Sequence, residues 1–240
     1  MRRFKNSACL AAIMLVCPSP LLADENIEGP WDGNVDVNAL FTSGNSSQTS
    51  LGVAGKATYR SGKTSHTVSG FIDFNKSSGI TDRERFGGAY NFKHDLSNRL
   101  FFSFDTSAES NKFGAFRERL ALAAGAGYRL KDTATFKWTI EGAPSMLFTK
   151  NLEGADYVSE FTAFARSDFE WQFTDTTKFT NITSAYIGGR SIVEAKSAIE
   201  FKIFKSITSK LSYDILYDRE APEDRKKTDT IARAGISYSF

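Results

Sequence analysis

Period-two alternation runs along this chain from Asp32 onward and limits its fold more than any other feature. Segments of about ten residues place apolar side chains at every second position between turn signals, which is strand spacing and not helix spacing. The last segment is the clearest: Thr230, Ala232, Ala234, Ile236, Tyr238 and Phe240 share one face, and the sequence stops on the aromatic. Near the start, Val35, Val37, Ala39 and Phe41 oppose Asn34, Asp36 and Asn38. Leu120, Leu122, Ala124, Ala126, Tyr128 and Leu130 oppose Arg119, Gly125, Gly127 and Arg129. Val193, Ala195, Ile199, Phe201 and Ile203 oppose Glu194, Lys196, Glu200 and Lys202. From residue 99 to 109, Leu100, Phe102, Phe104 and Ala108 oppose Arg99, Ser103, Asp105 and Glu109, with Phe101 out of pattern.

Leu51, Val53, Ala57 and Tyr59, and Leu211, Tyr213, Ile215 and Tyr217, form two more such segments, and others near residues 65–75, 84–93, 135–147, 158–173 and 178–188 bring the prediction to about twelve strands, the last over 228–240. Two places fit poorly. The segment at 178–188 can turn either Ile182 and Tyr186, or Phe179, Ala185 and Ile187, to the apolar side. Pro144 donates no ladder hydrogen bond and predicts a bulge or a strand end.

A soluble barrel or sandwich also alternates, with its apolar face inward, so a second signal has to choose. Aromatics gather around alternate turns. Tyr90, Phe92, Phe101 and Phe102 flank His94–Asn98, Tyr128, Phe136 and Trp138 flank Lys131–Ala134, and Phe169, Trp171, Phe173 and Phe179 flank Thr174–Thr177. These short turns alternate with longer, polar connections at Lys76–Asp82, Thr149–Asp156 and Asp218–Lys227. Aromatic girdles, with short turns on one side and long loops on the other, predict an all-β, antiparallel transmembrane β-barrel whose apolar face meets lipid. With an even strand number both ends of the barrel domain share one side, the periplasmic one in a bacterial outer membrane.

The first residues have the layout of a secretory leader: Arg2, Arg3 and Lys5, an apolar run from Leu10 to Val16, then Leu21-Leu22-Ala23. That run is too short to span a bilayer as a helix, which takes roughly 20 residues. Residues 1–23 are expected to be removed, leaving one barrel domain over 24–240; cleavage before Cys17 as a lipoprotein is the minor alternative, and Val16 is not the small residue such a site wants. The leader carries three of the thirty basic residues and none of the twenty-eight acidic ones, so the remainder has a formal charge of −1. Nothing in that balance points to nucleic acid. Cys9 and Cys17 leave with the leader, so no disulfide framework or thiolate metal site is expected.

The polar face carries the candidate lumen residues: Asp73, Asp105, Glu109, Arg119, Arg129, Lys137, Glu141, Arg166, Asp168, Glu170, Glu194, Lys196, Glu200, Lys202, Asp214 and Arg233. They either line an aqueous pore or pair across it and plug it. A barrel of about twelve strands falls between the filled and the open cases, and the mixed signs argue against strong ion selectivity. Catalysis finds little support. His66 and His94 are the only histidines, both near the turns on the terminal side, and they have no recognised metal spacing. The run Gly125-Ala-Gly127 sits in a strand with no helix after it, so its glycines are expected to relieve crowding inside the barrel and not to cradle phosphate. No catalytic, cofactor or metal residue is assigned.

Thr42-Ser-Gly-Asn-Ser46, Ala124-Gly-Ala-Gly-Tyr-Arg129, Tyr217-Asp-Arg-Glu-Ala-Pro222, Lys227-Thr-Asp-Thr230 and Tyr238-Ser-Phe240, in this order, resemble the salt-induced outer-membrane proteins of the YdiY type, domain of unknown function 481. The likeness extends over nearly the whole chain after the leader. It implies the outer membrane of a Gram-negative bacterium as the location. The closing strand itself resembles the terminal strand of bacterial outer-membrane proteins, which implies Ile236, Tyr238 and Phe240 as the insertion signal read by the barrel-assembly machinery, with outer-membrane lipid and lipopolysaccharide as neighbours. No functional residue transfers with the family likeness. The leading expectation is a small, non-selective channel or a structural barrel in envelope or osmotic adaptation. The alternatives are a lipid- or peptide-modifying enzyme and a surface binding protein acting through its outer loops.

Overall fold

The computed structural model describes residues 30–42, 48–152, 156–223 and 226–240; the expected leader lies outside them. Twelve strands follow one another: β1 (Trp31–Thr42), β2 (Gln48–Ser61), β3 (Thr64–Ser77), β4 (Ile80–Asp95), β5 (Leu100–Asn111), β6 (Glu118–Asp132), β7 (Phe136–Lys150), β8 (Tyr157–Thr174), β9 (Thr177–Ile187), β10 (Ile192–Phe204), β11 (Ile207–Asp218) and β12 (Thr228–Ser239). Each pairs antiparallel with its sequence neighbours, and β12 returns to β1 to close the barrel. The closing seam is short, running from Asn34 opposite Ser239 to Asn38 opposite Gly235, whereas β1 and β2 are in register from Trp31–Tyr59 to Thr42–Gln48.

Exposure settles which way the sheet faces. Ile72, Phe86 and Phe161 are 61%, 56% and 71% exposed, while Asp73, Arg85 and Glu141 are buried. Ile72 is followed by Asp73 and Phe86 preceded by Arg85, so successive residues point to opposite faces, while Ile72 pairs with Phe86 and Asp73 with Arg85. A soluble barrel has the opposite polarity, so the outer wall is built for hydrocarbon and the chain is a transmembrane β-barrel of the outer-membrane type. Aromatic rings ring the end that carries the termini: Trp31 packs on Tyr59 at 4.9 Å, His66 on Phe92 at 5.1 Å, Phe136 on Phe169 at 5.0 Å and Trp171 on Phe173 at 4.2 Å.

At this terminal end the connections are short: 62–63, 96–99, 133–135, 175–176 and 205–206. At the far end they span 112–117, 151–156, 188–191 and 219–227, with one exception. The expected long loop from Lys76 to Asp82 is a two-residue turn. Ser78 and Gly79 have φ of 48° and 84°, the paired positive values that match a hairpin to strand twist, and β3 and β4 run up to it through a register shift between Asn75 and Lys76. The polar composition of that stretch came from strand residues near the rim.

Two further expectations need correction, and one left open resolves. Pro144 neither ends a strand nor makes a bulge: it lies inside β7 opposite Ala163, and the β6–β7 ladder skips it and resumes in the same register from Ala123–Ser145 to Ala126–Gly142. Gly125 allows the close approach there, since a Cβ on it would come within 2.2 Å of the Gly142 carbonyl oxygen. His94 is not in a turn but in β4, opposite Thr64 and Phe102. The two readings of β9 resolve in favour of Phe179, Ala185 and Ile187 on the outer wall, because Tyr186 pairs with inward Phe164 and Ile182 with inward Asp168.

The lumen and its closure

The pairing register places an alternating chain of charges on the inner wall of the terminal half. It runs from Lys137 to Glu170 (3.7 Å), Glu170 to Lys178 (3.9 Å), Lys178 to Glu200 (3.1 Å), Glu200 to Lys210 (3.7 Å) and Lys210 to Asp36 (2.6 Å). The six residues stand on β7, β8, β9, β10, β11 and β1 in turn, so one arc of wall carries strictly alternating sign. Most of its side chains are partly open to solvent, and each pair is correspondingly weak.

Higher in the barrel, pairs across the lumen join those along the wall. Lys93 on β4 donates to Glu141 on β7 at 2.7 Å, and Arg166 on β8 stands 3.6 Å from Asp105 on β5 and 3.0 Å from Asp168. Arg233 on β12 donates to both Asp214 on β11 and Asp73 on β3, the latter at 2.6 Å. Arg85 stands 3.2 Å from Glu109 and 4.0 Å from Asp73, with its guanidinium 4.6 Å from the Phe71 ring centroid. Side chains on strands that are not neighbours thus span the interior, and their charges are matched within the span.

One apolar ring lies inside the terminal half, and an apolar cluster fills the far end. At the terminal end Phe101, the residue out of pattern in the sequence, points inward and is fully buried, with Lys93 Nζ at 4.8 Å and Arg129 Cζ at 5.0 Å from its ring centroid. Gly127 makes room for it, since a Cβ there would meet the ring at 2.2 Å. At the far end the 112–117 connection folds into the mouth. Phe116 is fully buried and packs in one cluster with Ala115, Ala121, Leu147, Ile192, Leu216 and Ala221, with Tyr186 against its edge. Arg119 stacks on Phe116 at 3.9 Å. Above the cluster Arg190 donates to both oxygens of Asp218, at 3.1 Å and 2.7 Å, and to Asn151 at 3.4 Å, while Arg119 approaches Asp218 to 3.8 Å. This latch joins the connections at 151–156, 188–191 and 219–227 to the plug. A chamber of about 120 Å³ remains beside the plug, bounded by Arg85, Asn111, Glu194 and Asp214.

Of the residues singled out from the sequence, Asp105, Glu141, Arg166 and Asp168 come together in the middle, with Asp73, Glu109, Asp214 and Arg233 above them. Glu170, Lys137 and Glu200 join the arc, Arg129 pairs with Asp95 at 2.7 Å, and Arg119 belongs to the latch. Lys196 pairs with Glu194 at 3.0 Å, and Lys202 stands exposed at the terminal rim, making no ion pair among the described residues. The sequence reading passed over Lys93, Lys178, Arg190, Lys210, Asp36 and Asp218, and the plug residue Phe116. Lys93, Lys178, Lys210 and Asp36 alternate correctly and Asp218 ends a strand; Arg190 and Phe116 sit in connections without periodicity and give no signal.

His66 lies on the outer wall, its Nδ1 2.9 Å from the Tyr90 hydroxyl, within the aromatic girdle. Among the described residues no group of three or more His, Cys, Asp and Glu side chains is placed to hold a metal ion.

Residues 35–240 match the model of a family described as "Protein of unknown function, DUF481". The uncharacterized protein YdiY of Escherichia coli (strain K12) is 23% identical over 236 residues, covering 98% of this chain and 92% of that protein. Among solved structures, the NanC porin is similar with a TM-score of 0.51 at 12% identity, over 86% of this chain and 98% of that one. The KdgM porin, solved in complex with disordered oligogalacturonate, gives a TM-score of 0.48 at 10% identity, over 86% and 99%. The NanC likeness is one of fold.

Proposed function

We propose that this chain, which belongs to the DUF481 family, is an outer-membrane channel whose lumen is closed at rest by its own 112–117 connection. Residues 1–23 are cut away on export, the terminal end faces the periplasm, and the far end meets lipopolysaccharide and the outside. Ile236, Tyr238 and Phe240 present the insertion signal to the barrel-assembly machinery. A part in envelope or osmotic adaptation follows the family resemblance.

The observation that carries this reading is Phe116. An apolar side chain from a connection, fully buried in the mouth of a barrel whose inner wall is charged, seals by packing and not by bonding. A seal made of one loop can be withdrawn without breaking the ladder of hydrogen bonds that makes the barrel. The ion pairs that span the lumen favour a second reading, a structural barrel that never opens. Catalysis has less support, because His66 lies on the lipid-facing wall, bonded to Tyr90 within the aromatic girdle.

Planar bilayers separate the two readings. The intact protein is expected to be almost silent, and a variant in which residues 112–117 are replaced by a short polar turn to give frequent conductance steps. If that variant shows folded, heat-modifiable mobility on gels and stays silent, the structural reading replaces the channel.

A further inference from the structure

β9 is the strand whose alternation is hardest to read, and the reason lies on its outer wall. Between Phe179 and Ala185 it turns Asn181 and Thr183 to the lipid side, while Ile182 and Tyr186 go inward. Asn181 is the one carboxamide on the outer wall of the twelve strands among the described residues, and it lies at mid-strand, away from both rims. Its Nδ2 donates to Ser197 on β10 at 2.9 Å, and its Oδ1 accepts from Thr183 at 3.0 Å. One row over, Trp138 donates to Ser167 at 3.0 Å, and Ser167 stands opposite Thr183.

These bonds do not exhaust the groups. A carboxamide has two donors and an acceptor with two lone pairs, and a serine hydroxyl has a hydrogen to give. Asn181 uses one donor and one lone pair, and no acceptor among the described residues takes the Ser197 hydroxyl hydrogen. In hydrocarbon each unmet group is costly, and polar groups facing lipid therefore mark sites of function. Next to them the wall is indented. Small Ser197, Ala232 and Ala234 lie between the larger Phe179, Leu211 and Tyr213, around a hollow of about 540 Å³. Small residues beside hydrogen-bonding side chains are what membrane segments use to approach one another closely.

We propose that the β8–β12 outer wall is the face on which two copies of this chain pair in the membrane, with Asn181 at the centre. The occupant is argued from the hydrogen-bonding pattern. A two-fold axis along the membrane normal brings the same patch against itself at the same depth. The free Nδ2 hydrogen of one Asn181 then meets the free lone pair of the other, a match that an acyl chain cannot offer. The flanking rings supply the ridge that fills the partner's hollow.

The test uses the full chain in lipid vesicles at several protein-to-lipid ratios, with single-cysteine variants and an oxidant. Ala195→Cys, on the same outward row beside Thr183, is expected to cross-link to a dimer, and Ile72→Cys, on the opposite wall, to remain monomeric. Asn181→Leu, folded by its heat-modifiable mobility, is expected to weaken dimerisation roughly tenfold by energy transfer between labelled copies, in the range of a membrane hydrogen bond. Equal cross-linking at both positions, or a monomer at every protein-to-lipid ratio, overturns the proposal. So does an unaltered dimer in the Asn181→Leu variant. A monomer that retains bound lipid assigns the hollow to lipid instead.

Discussion

Gly33 and Phe240 hold each other across the seam of the barrel. Each donates its backbone N–H to the other's carbonyl, both at 3.0 Å, and the Phe240 ring lies where a side chain on residue 33 would stand. A Cβ on Gly33 would come within 2.6 Å of the ring and equally close to the Lys56 carbonyl oxygen. The ring can swing away, but the carbonyl belongs to the β1–β2 ladder and cannot. Because the seam has so few paired residues, crowding there falls on the weakest joint of the wall. Gly33→Val is expected to destabilise the barrel by about 1–3 kcal/mol, the usual cost of overpacking. It should lower the temperature at which the folded band converts on gels, whereas Gly55→Val, at an open position, should shift it much less.

The latch at the far end makes a different demand. Asp218 is 1% exposed and shared between Arg190 and Arg119. Removing it leaves the Arg190 guanidinium in a closed site without its carboxylate, and breaking a buried pair from one side costs about 3–5 kcal/mol. Asp218→Ala is expected to free the 188–191 and 219–227 connections and to make Phe116 accessible. Limited proteolysis of the folded protein in vesicles should then cut at the far end. Arg190→Ala should behave alike but more mildly, since Arg119 still faces Asp218.

The alternation of the strands was legible because lipid and lumen impose opposite polarity on successive residues, and every strand from β1 to β12 obeys that rule over most of its length. Phe101 and β9 were not legible for a shared reason. Periodicity assigns a residue to a face by its polarity, so an apolar residue needed inside, or a carboxamide needed outside, is read as noise. The pairings of Lys93 with Glu141 and Arg233 with Asp73 were hidden for another reason: they join strands that are not neighbours, and only the closing of the wall brings them within reach. The plug at Phe116 lies in a connection, where no period exists to be broken.

The alternating arc should respond weakly where the latch responds strongly. Glu200 contacts Lys178 and Lys210, and both lysines keep a second carboxylate, Glu170 and Asp36 respectively. Glu200→Gln therefore leaves no cation alone in a dry site. Its expected cost is within about 1 kcal/mol, as for partly exposed pairs, and is expected to shrink further as salt is raised. Urea titration of the folded fraction at low and high ionic strength measures both effects. A loss as large as that of Asp218→Ala would mean that the arc is sealed from water.

Phe101 and Gly127 are expected to be coupled. The ring fills the space that a side chain on residue 127 would take, between the cations of Lys93 and Arg129. Phe101→Ala removes a fully buried ring and should cost about 3 kcal/mol or more. Gly127→Ala should also destabilise, because its Cβ meets both the ring and, at 2.9 Å, the Glu141 side chain. With the ring gone the larger of those two clashes is gone as well, so the double variant should be more stable than the sum of the single losses by about 0.5–3 kcal/mol, the range seen for residues in contact. A double-mutant cycle by urea titration in detergent decides the point. Strict additivity would place the ring away from Gly127.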